Sequence, residues 1–410
     1  MRRSSLLAPF QVRSFRFQYP ADLLTSWGTE METLILGWYI LVETGSVLLL
    51  TLFASLQYFG TLVAPVLGMA GDRVGHRAVL CTMRASYAVL AVLLMALAFT
   101  GLLRPLHVFI IAAVAGLVRP ADLAMRAALV AETMPPDRFI SAMGASRTTS
   151  DSARIVGSLA GAGLFATVGL AHAYIAITGF YLIGFMLTLG VGAPRQFVAM
   201  TGRPSLWRDL REGWSYLWDT PSSLAALWLA FLVNLTAFPM TSGLLPYVAR
   251  DLYHVDQTGL GTLVASFAFG SLLGSILISI IGRTIRPARM MIVFALGWYA
   301  MLLVFVQMRD PTSGGLMLVL AGLSQSLSLV PMSAMLLHGA GAFRGRVMGM
   351  RMLAIYGLPV GLMAAGSLIE RIGFAATATL YCIVGIALTG AIALHWRAVL
   401  WPLHASANAR

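Results

Sequence analysis

The chain has 410 residues, 59% of them hydrophobic and 11% charged, with a net charge of +12. A soluble protein carries about a quarter of its residues as charges, so this composition excludes a water-soluble domain and calls for lipid as the solvent. All 28 basic residues are arginines, most of them at or near the ends of apolar runs. Basic groups there anchor to phospholipid head groups and set orientation, which argues against nucleic acid as a partner.

The start, MRRSSLLAPFQVRSFRF, has no long apolar core and no small-residue cleavage site, so no cleaved signal peptide is expected. Apolar runs then predict twelve spans, at 18–43, 46–70, 78–101, 106–131, 141–168, 171–192, 223–248, 258–282, 289–307, 314–338, 347–370 and 374–400. An even count puts both ends on one side. Most loop arginines, from Arg2 to Arg410, fall on that face, while Arg104, Arg250, Arg309 and Arg371 mark the other. The positive-inside rule makes both termini cytoplasmic.

Span one contains WGTEMETLILGW, with Glu30 and Glu32 about midway along it. Two positions apart is roughly 200° on a helix, so the two cannot face one spot. A charge at the bilayer centre costs about 2.5–3.5 kcal/mol or more. One glutamate is therefore read as a cavity-facing proton-binding group, or else one or both pair with arginines of span four or five. Trp38 and Tyr39, later in the span, are candidate cavity residues. Spans two and three are joined by GMAGDRVGHRAVL, which places Gly68, Asp72, Arg73, Gly75 and Arg77 in one tight turn, with Cys81 just beyond.

Span four carries GLVRPADLAMR. Arg119 is a candidate for holding a carboxylate ionised or for binding an anionic substrate group; the competing reading is an internal pair with Asp122 or Asp151. Pro120 frees one backbone carbonyl beside it. Arg126 and Glu132 close the span and join Asp72 and Arg77 as a candidate cytoplasmic gate. In span five Asp151 and Arg154 stand at helical spacing, which favours an internal ion pair over a cavity role for Arg154 and proton coupling by Asp151; Asp122 of span four is a further proton-coupling candidate. Gly157, Gly161 and Gly163 follow, and allow close helix approach.

The one long polar connection follows span six. PSLWRDLREGWSYLWDTP puts Leu206, Leu210, Trp214 and Leu217 at helical spacing, as in a helix lying in the head-group layer. The division expected is therefore residues 1–198, a linker helix at 199–221, and residues 222–410. In the second half, Asn234, Phe238, Gln325 and Tyr356 are further cavity candidates. Arg344 and Arg346 form a turn mirroring residues 68–77, and Gly357, Gly361 and Gly366 mirror the span-five glycines.

The halves look duplicated. Thr44/Thr258, Gly45/Gly259, Gly60/Gly274 and Gly68/Gly282 share one offset of 214 (258 − 44), and Arg147/Arg351, Gly157/Gly361 and Gly169/Gly373 share one of 204 (351 − 147). Two similar bundles around a midplane site is a plan used by many secondary transporters.

With these motifs in place, Gly68-x-x-x-Asp72-Arg73-x-Gly75-His76-Arg77 resembles the loop motif of the major facilitator superfamily. RAALVAETMPPDRF, ARIVGSLAGAGL, TGLGTLVASFAFGSLLG and FRGRVMGMRMLAIYGLPVGLMAAG are similar to its branch of enterobactin-type exporters and drug:proton antiporters. Gly157-Ser158 stands where drug-exporting members carry a glycine-proline pair, and His76 where an arginine or lysine is common. The resemblance implies an all-α membrane protein of twelve helices in two pseudo-symmetric bundles, working by alternating access. It further implies export of a small amphipathic or siderophore-like compound driven by the proton gradient, without a cofactor, in the bacterial inner membrane and as a monomer. Uptake or uncoupled facilitation, or a non-transporting receptor role, are the alternatives.

No serine-histidine-acid cluster, phosphate-binding glycine loop or lysine is present, so neither an enzyme nor an ATP-driven pump is expected. Cys81 and Cys382 make no disulfide framework, and the histidines show no metal-ligand spacing.

Overall fold

The computed structural model describes residues 8–192, 206–281, 286–337 and 344–401, with helices and no strand among them. By length and composition, eight helical stretches there can cross a bilayer, among them α4 (His76–Phe99), α5 (Pro105–Thr133) and α13 (Pro287–Gln307). Span one is α1 (Arg13–Thr44), capped by Gly45 in the left-handed region, φ 64°, with its N–H on Leu41 O.

The other spans are helices broken by identifiable residues. Span two, expected as one helix, is α2 (Val47–Leu56), a 3-10 turn (Phe59–Leu62) and α3 (Ala64–Val74), restarting at Pro65. The break sits at a close crossing with α5. A Cβ on Gly60 would lie 2.1 Å from Leu117 O, and one on Gly116 would lie 2.0 Å from Leu56 O, so only glycine fits at either place. Span seven divides into α9 (Pro221–Thr236), α10 (Phe238–Ser242) and α11 (Leu245–Tyr247), around Pro239, Gly243 and Pro246. Spans five and six are α6 (Pro136–Ser152), a π-helical turn (Ala153–Gly157) and α7 (Ser158–Leu189), the last kinked at Gly169, φ 79° and ψ 174°.

Span eight is α12 (Gln257–Ile281) and span ten is α14 (Pro311–Leu337). Spans eleven and twelve are α15 (Arg344–Ala354) with α16 (Gly357–Ile372), then α17 (Phe374–His395), joined at Gly373 with φ 81° and ψ 166°. Gly169 and Gly373 thus adopt one conformation at equivalent junctions. The duplication extends to helix crossings: as Gly60 meets Leu117 O, Gly274 meets Leu323 O, where a Cβ would lie 2.6 Å away.

The chain divides into two compact units, Met1–Arg203 with Leu245–Ala265, and Pro204–Leu244 with Ser266–Arg410. In the first, Leu245–Ala265 is held on the amino-terminal helices. Arg250 Nη1 donates to Leu41 O at 2.8 Å, Pro246 lies beside Gly37, and Gly261 lies against Ala162. In the second, α8 (Leu206–Trp218) lies on α9 and α15. Gly213 and Leu217 are buried there, while Trp214 and Trp218 face outward with ring centroids 5.8 Å apart. Trp214 and Leu217 therefore occupy different faces, not the shared face expected from spacing; the side chains of residues 206–210 lie outside the described residues.

Candidate functional site

α1 carries four acidic residues, Asp22, Glu30, Glu32 and Glu43, and the first three meet three different environments inside the first unit. Near its start, Asp22 is 1% exposed and forms an ion pair with Arg84 of α4, also 1% exposed. Arg84 additionally donates to Thr188 Oγ1 of α7. Arg126 of α5 completes the cluster. It pairs with Asp122 one turn earlier, approaches Asp22 Oδ1 at 3.6 Å, and donates to Ser26 Oγ at 2.6 Å and to Asp22 O at 3.2 Å. Gln18 Nε2 donates to Arg126 O at 3.0 Å. Two arginines and two aspartates cancel in charge, which is how four buried ions are tolerated in one place. Asp122 Oδ1 is buried with no hydrogen-bond partner among the described residues.

Ten residues further, about 15 Å along the helix, Glu32 forms an ion pair with Arg119. Tyr181 OH donates to its carboxylate at 3.0 Å, with Tyr174 OH at 3.4 Å. Arg119 also donates to Gln57 Oε1 at 2.6 Å and Thr33 Oγ1 at 3.2 Å. Both carboxylate oxygens of Glu32 and both terminal nitrogens of Arg119 thus meet polar groups, while Arg119 Nε has no partner among the described residues, and the cavity beside the pair, lined by Glu32, Gln57, Phe53 and Arg119, is only about 10 Å³. That is too small for an organic molecule.

Glu30 differs. It is half-buried on another face of α1, with its Cβ next to Gly157 at the end of the π-helical turn; a Cβ on that glycine would lie 3.2 Å away. It makes no hydrogen bond or ion pair among the described residues, and feels the charges of Arg154 and Arg119 without touching them. The roughly 200° between positions 30 and 32 thus separates a paired carboxylate from one without a direct partner. π-helical turns are frequent at functional sites because they re-aim the helix face they interrupt.

The remaining candidates are distributed as follows. Asp151 lies 4.0 Å from Arg147, four residues back, and not on Arg154, which is exposed. The π-helical turn starts at Ala153 and changes the angular spacing that an unbroken α-helix would give. Arg119 turns to Glu32 and not to Asp122 or Asp151. Of the gate candidates, Arg126 belongs to the buried Asp22 cluster, whereas Glu132 accepts His76 Nδ1 at 2.6 Å and Arg77 reaches Leu189 O. Gly75 takes φ 101° at the end of α3, Gly68 has open space around it, and Arg73 is exposed. The side chains of Asp72, Arg344 and Arg346 lie outside the described residues.

Gly157 at the end of the π-helical turn and Gly161 of α7 lie against α1 inside the first unit, at Trp27 and Met31, and Gly361 seats α16 on α9 at Leu235 inside the second; Gly366 is buried in α16. Trp38 and Tyr39 line a cavity of about 520 Å³, and Tyr39 OH donates to Leu103 O at 3.1 Å. In the second unit Asn234 bonds Ala230 O within its own helix. Phe238 meets Trp298 edge-on at 5.1 Å, Gln325 is buried in α14, and Tyr356 stands at the break between α15 and α16.

Sequence reasoning missed Asp22, Arg84, Gln57, Tyr174 and Tyr181. A signal existed for Arg84 and Asp22, since each is a charge within an apolar span and must find a partner. None existed for the tyrosines, whose value lies in facing Glu32 from another helix.

Eight helical stretches long and apolar enough to cross a bilayer among the described residues, two of them (α4 and α5) carrying arginines paired with buried acids of α1, define a multi-pass helical membrane protein. The model of the Major Facilitator Superfamily matches residues 21–359, and the chain belongs to that family. It is a transporter of small molecules, not an enzyme. Solved structures agree in fold at low identity. The nucleoside transporter NupG is 12% identical with a TM-score of 0.74, covering 94% of this chain and 99% of its own. A POT family transporter in complex with 5-aminolevulinic acid is 13% identical with a TM-score of 0.74, covering 95% and 97%. The human organic anion transporter MFSD10 is 14% identical with a TM-score of 0.64, covering 93% and 99%. No curated protein sequence matches the chain.

Proposed function

We propose that the chain is a proton-coupled exporter of a small amphipathic, drug-like or siderophore-like compound, set in a bacterial inner membrane with both termini cytoplasmic. The observation that carries the reading is the contrast between the two glutamates of α1. Glu32 is held by Arg119 and two tyrosines, so its carboxylate oxygens are already engaged in a structural pair. Glu30 has no such partner, so its carboxylate is available to take up and release a proton. Protonation of Glu30 and occupancy by substrate exclude one another, and each turn of alternating access then exchanges the two. The arginine-rich faces of the sequence support the topology. The resemblance of the 68–77 turn to the superfamily loop motif supports gating at the cytoplasmic side.

The test is transport in proteoliposomes under an imposed pH gradient, with ethidium and a catecholate siderophore as probes and an internal pH dye as second readout. Wild-type protein is expected to move a probe against its gradient with opposite proton flux. Glu30→Gln is expected to abolish gradient-driven movement while leaving probe exchange intact. Movement indifferent to the pH gradient, or gradient-driven movement retained by Glu30→Gln, overturns the coupling; proton flux in the same direction as the probe indicates uptake instead of export.

A further inference from the structure

The cavity of about 520 Å³ lies wholly within the first unit, at the end where α1 terminates. Its size falls within the range of about 300–1,000 Å³ typical of organic ligands, unlike the small cavity beside Glu32. Its wall is built by local structure. The last turns of α1 supply Trp38, Tyr39 and Glu43, and α7 supplies Phe165 on one side of the Gly169 kink and Ala171 on the other. The Tyr39 bond to Leu103 O ties α1 to the connection preceding α5.

The charge of this wall is one-sided. Glu43 is the ionisable carboxylate on it, and makes no hydrogen bond or ion pair among the described residues. Neighbouring bases are turned elsewhere: Arg250 to Leu41 O, and His172 to Val168 O with its ring against Phe99. Arg104 follows Leu103 in the chain and is not part of the lining. Three aromatic side chains with one carboxylate attract a cation through ring faces and through charge. A metal ion would find too few oxygen ligands, and an anion would meet Glu43.

We propose that this cavity is a binding site for an amphipathic organic cation, of the size and character of an aryl phosphonium or quaternary ammonium compound. It lies thirteen residues from Glu30, about 20 Å along α1, and stands whether or not Glu30 carries protons. On the proposed topology it opens at the non-cytoplasmic end of the first unit.

The experiment is equilibrium dialysis of the full chain in lipid nanodiscs with labelled tetraphenylphosphonium, with empty nanodiscs subtracted. Tetraphenylborate, of the same shape and opposite charge, serves as control. Saturable binding of the cation is expected, and weaker binding of the anion. Glu43→Gln should weaken cation binding by roughly three- to tenfold, the scale of one carboxylate at a partly solvated site, and Glu43→Lys more. Ala171→Phe, which fills the cavity and leaves the charge, should abolish it. Glu43 is exposed, so its variants should melt as wild type does and remain interpretable if Ala171→Phe does not fold. Equal binding of the two ions, or unaltered affinity in both Glu43 variants, overturns the proposal.

Discussion

Glu30 and Glu32 stand two positions apart and call for opposite outcomes on substitution. Removing one partner of a buried ion pair leaves the other charge uncompensated, at a cost of about 3–5 kcal/mol. Glu32→Gln should therefore lower the melting temperature of the purified protein markedly, whereas Glu30→Gln, having no direct partner to strand, should melt as wild type does. The Asp22–Arg84 pair gives a second residue-scale prediction. Arg84→Met alone should destabilise by a similar amount, and the double variant Arg84→Met with Asp22→Asn should recover part of the loss, because no unpaired charge then remains. A melting series that finds the two single effects simply additive would contradict direct pairing.

Among elements, the crossing of span two over α5 is the most exacting. A Cβ at Gly60 or Gly116 would fall about 2 Å from a backbone carbonyl, and backbone cannot move aside as a flexible side chain can. Gly60→Ala should cost about 1–3 kcal/mol or more through forced backbone shifts, read as a drop in melting temperature, while Gly68→Ala, in open space, should be neutral by the same measurement. The start of α14 offers a pH-dependent contrast. Asp310 accepts Ser313 N–H at 2.7 Å and Ser313 Oγ at 2.7 Å, which holds its carboxyl below the usual carboxylate range. A depressed folded-state value means that the cap contributes above the unfolded value and is lost as pH falls through the folded one. The melting-temperature difference between wild type and Asp310→Ala should thus be constant near neutrality and vanish only in strong acid.

For the whole molecule, the even number of spans and the arginine distribution predict that reporters fused to the two termini both fall in the cytoplasm; a cytoplasmic report from one end only would refute the topology. Membrane residence, helical class, the number of spans and the relation of the two halves are all legible in the chain, because bilayer thickness and helix rise demand apolar runs of about 20 residues and duplication leaves glycines at fixed offsets. Gly169 and Gly373 illustrate how far this reaches: paired by offset in the sequence, they share one backbone conformation in the fold. Partner choice is different. That Arg119 takes Glu32, that Asp151 takes Arg147, and that Arg84 of span three joins Asp22 of span one depends on which helix faces meet. A buried ion must be matched by whatever charge the packing brings within reach, and neither spacing nor composition specifies that neighbour. The sequence alone determined that charges within the spans required partners; the tertiary structure decided which were paired, and left Glu30 without one.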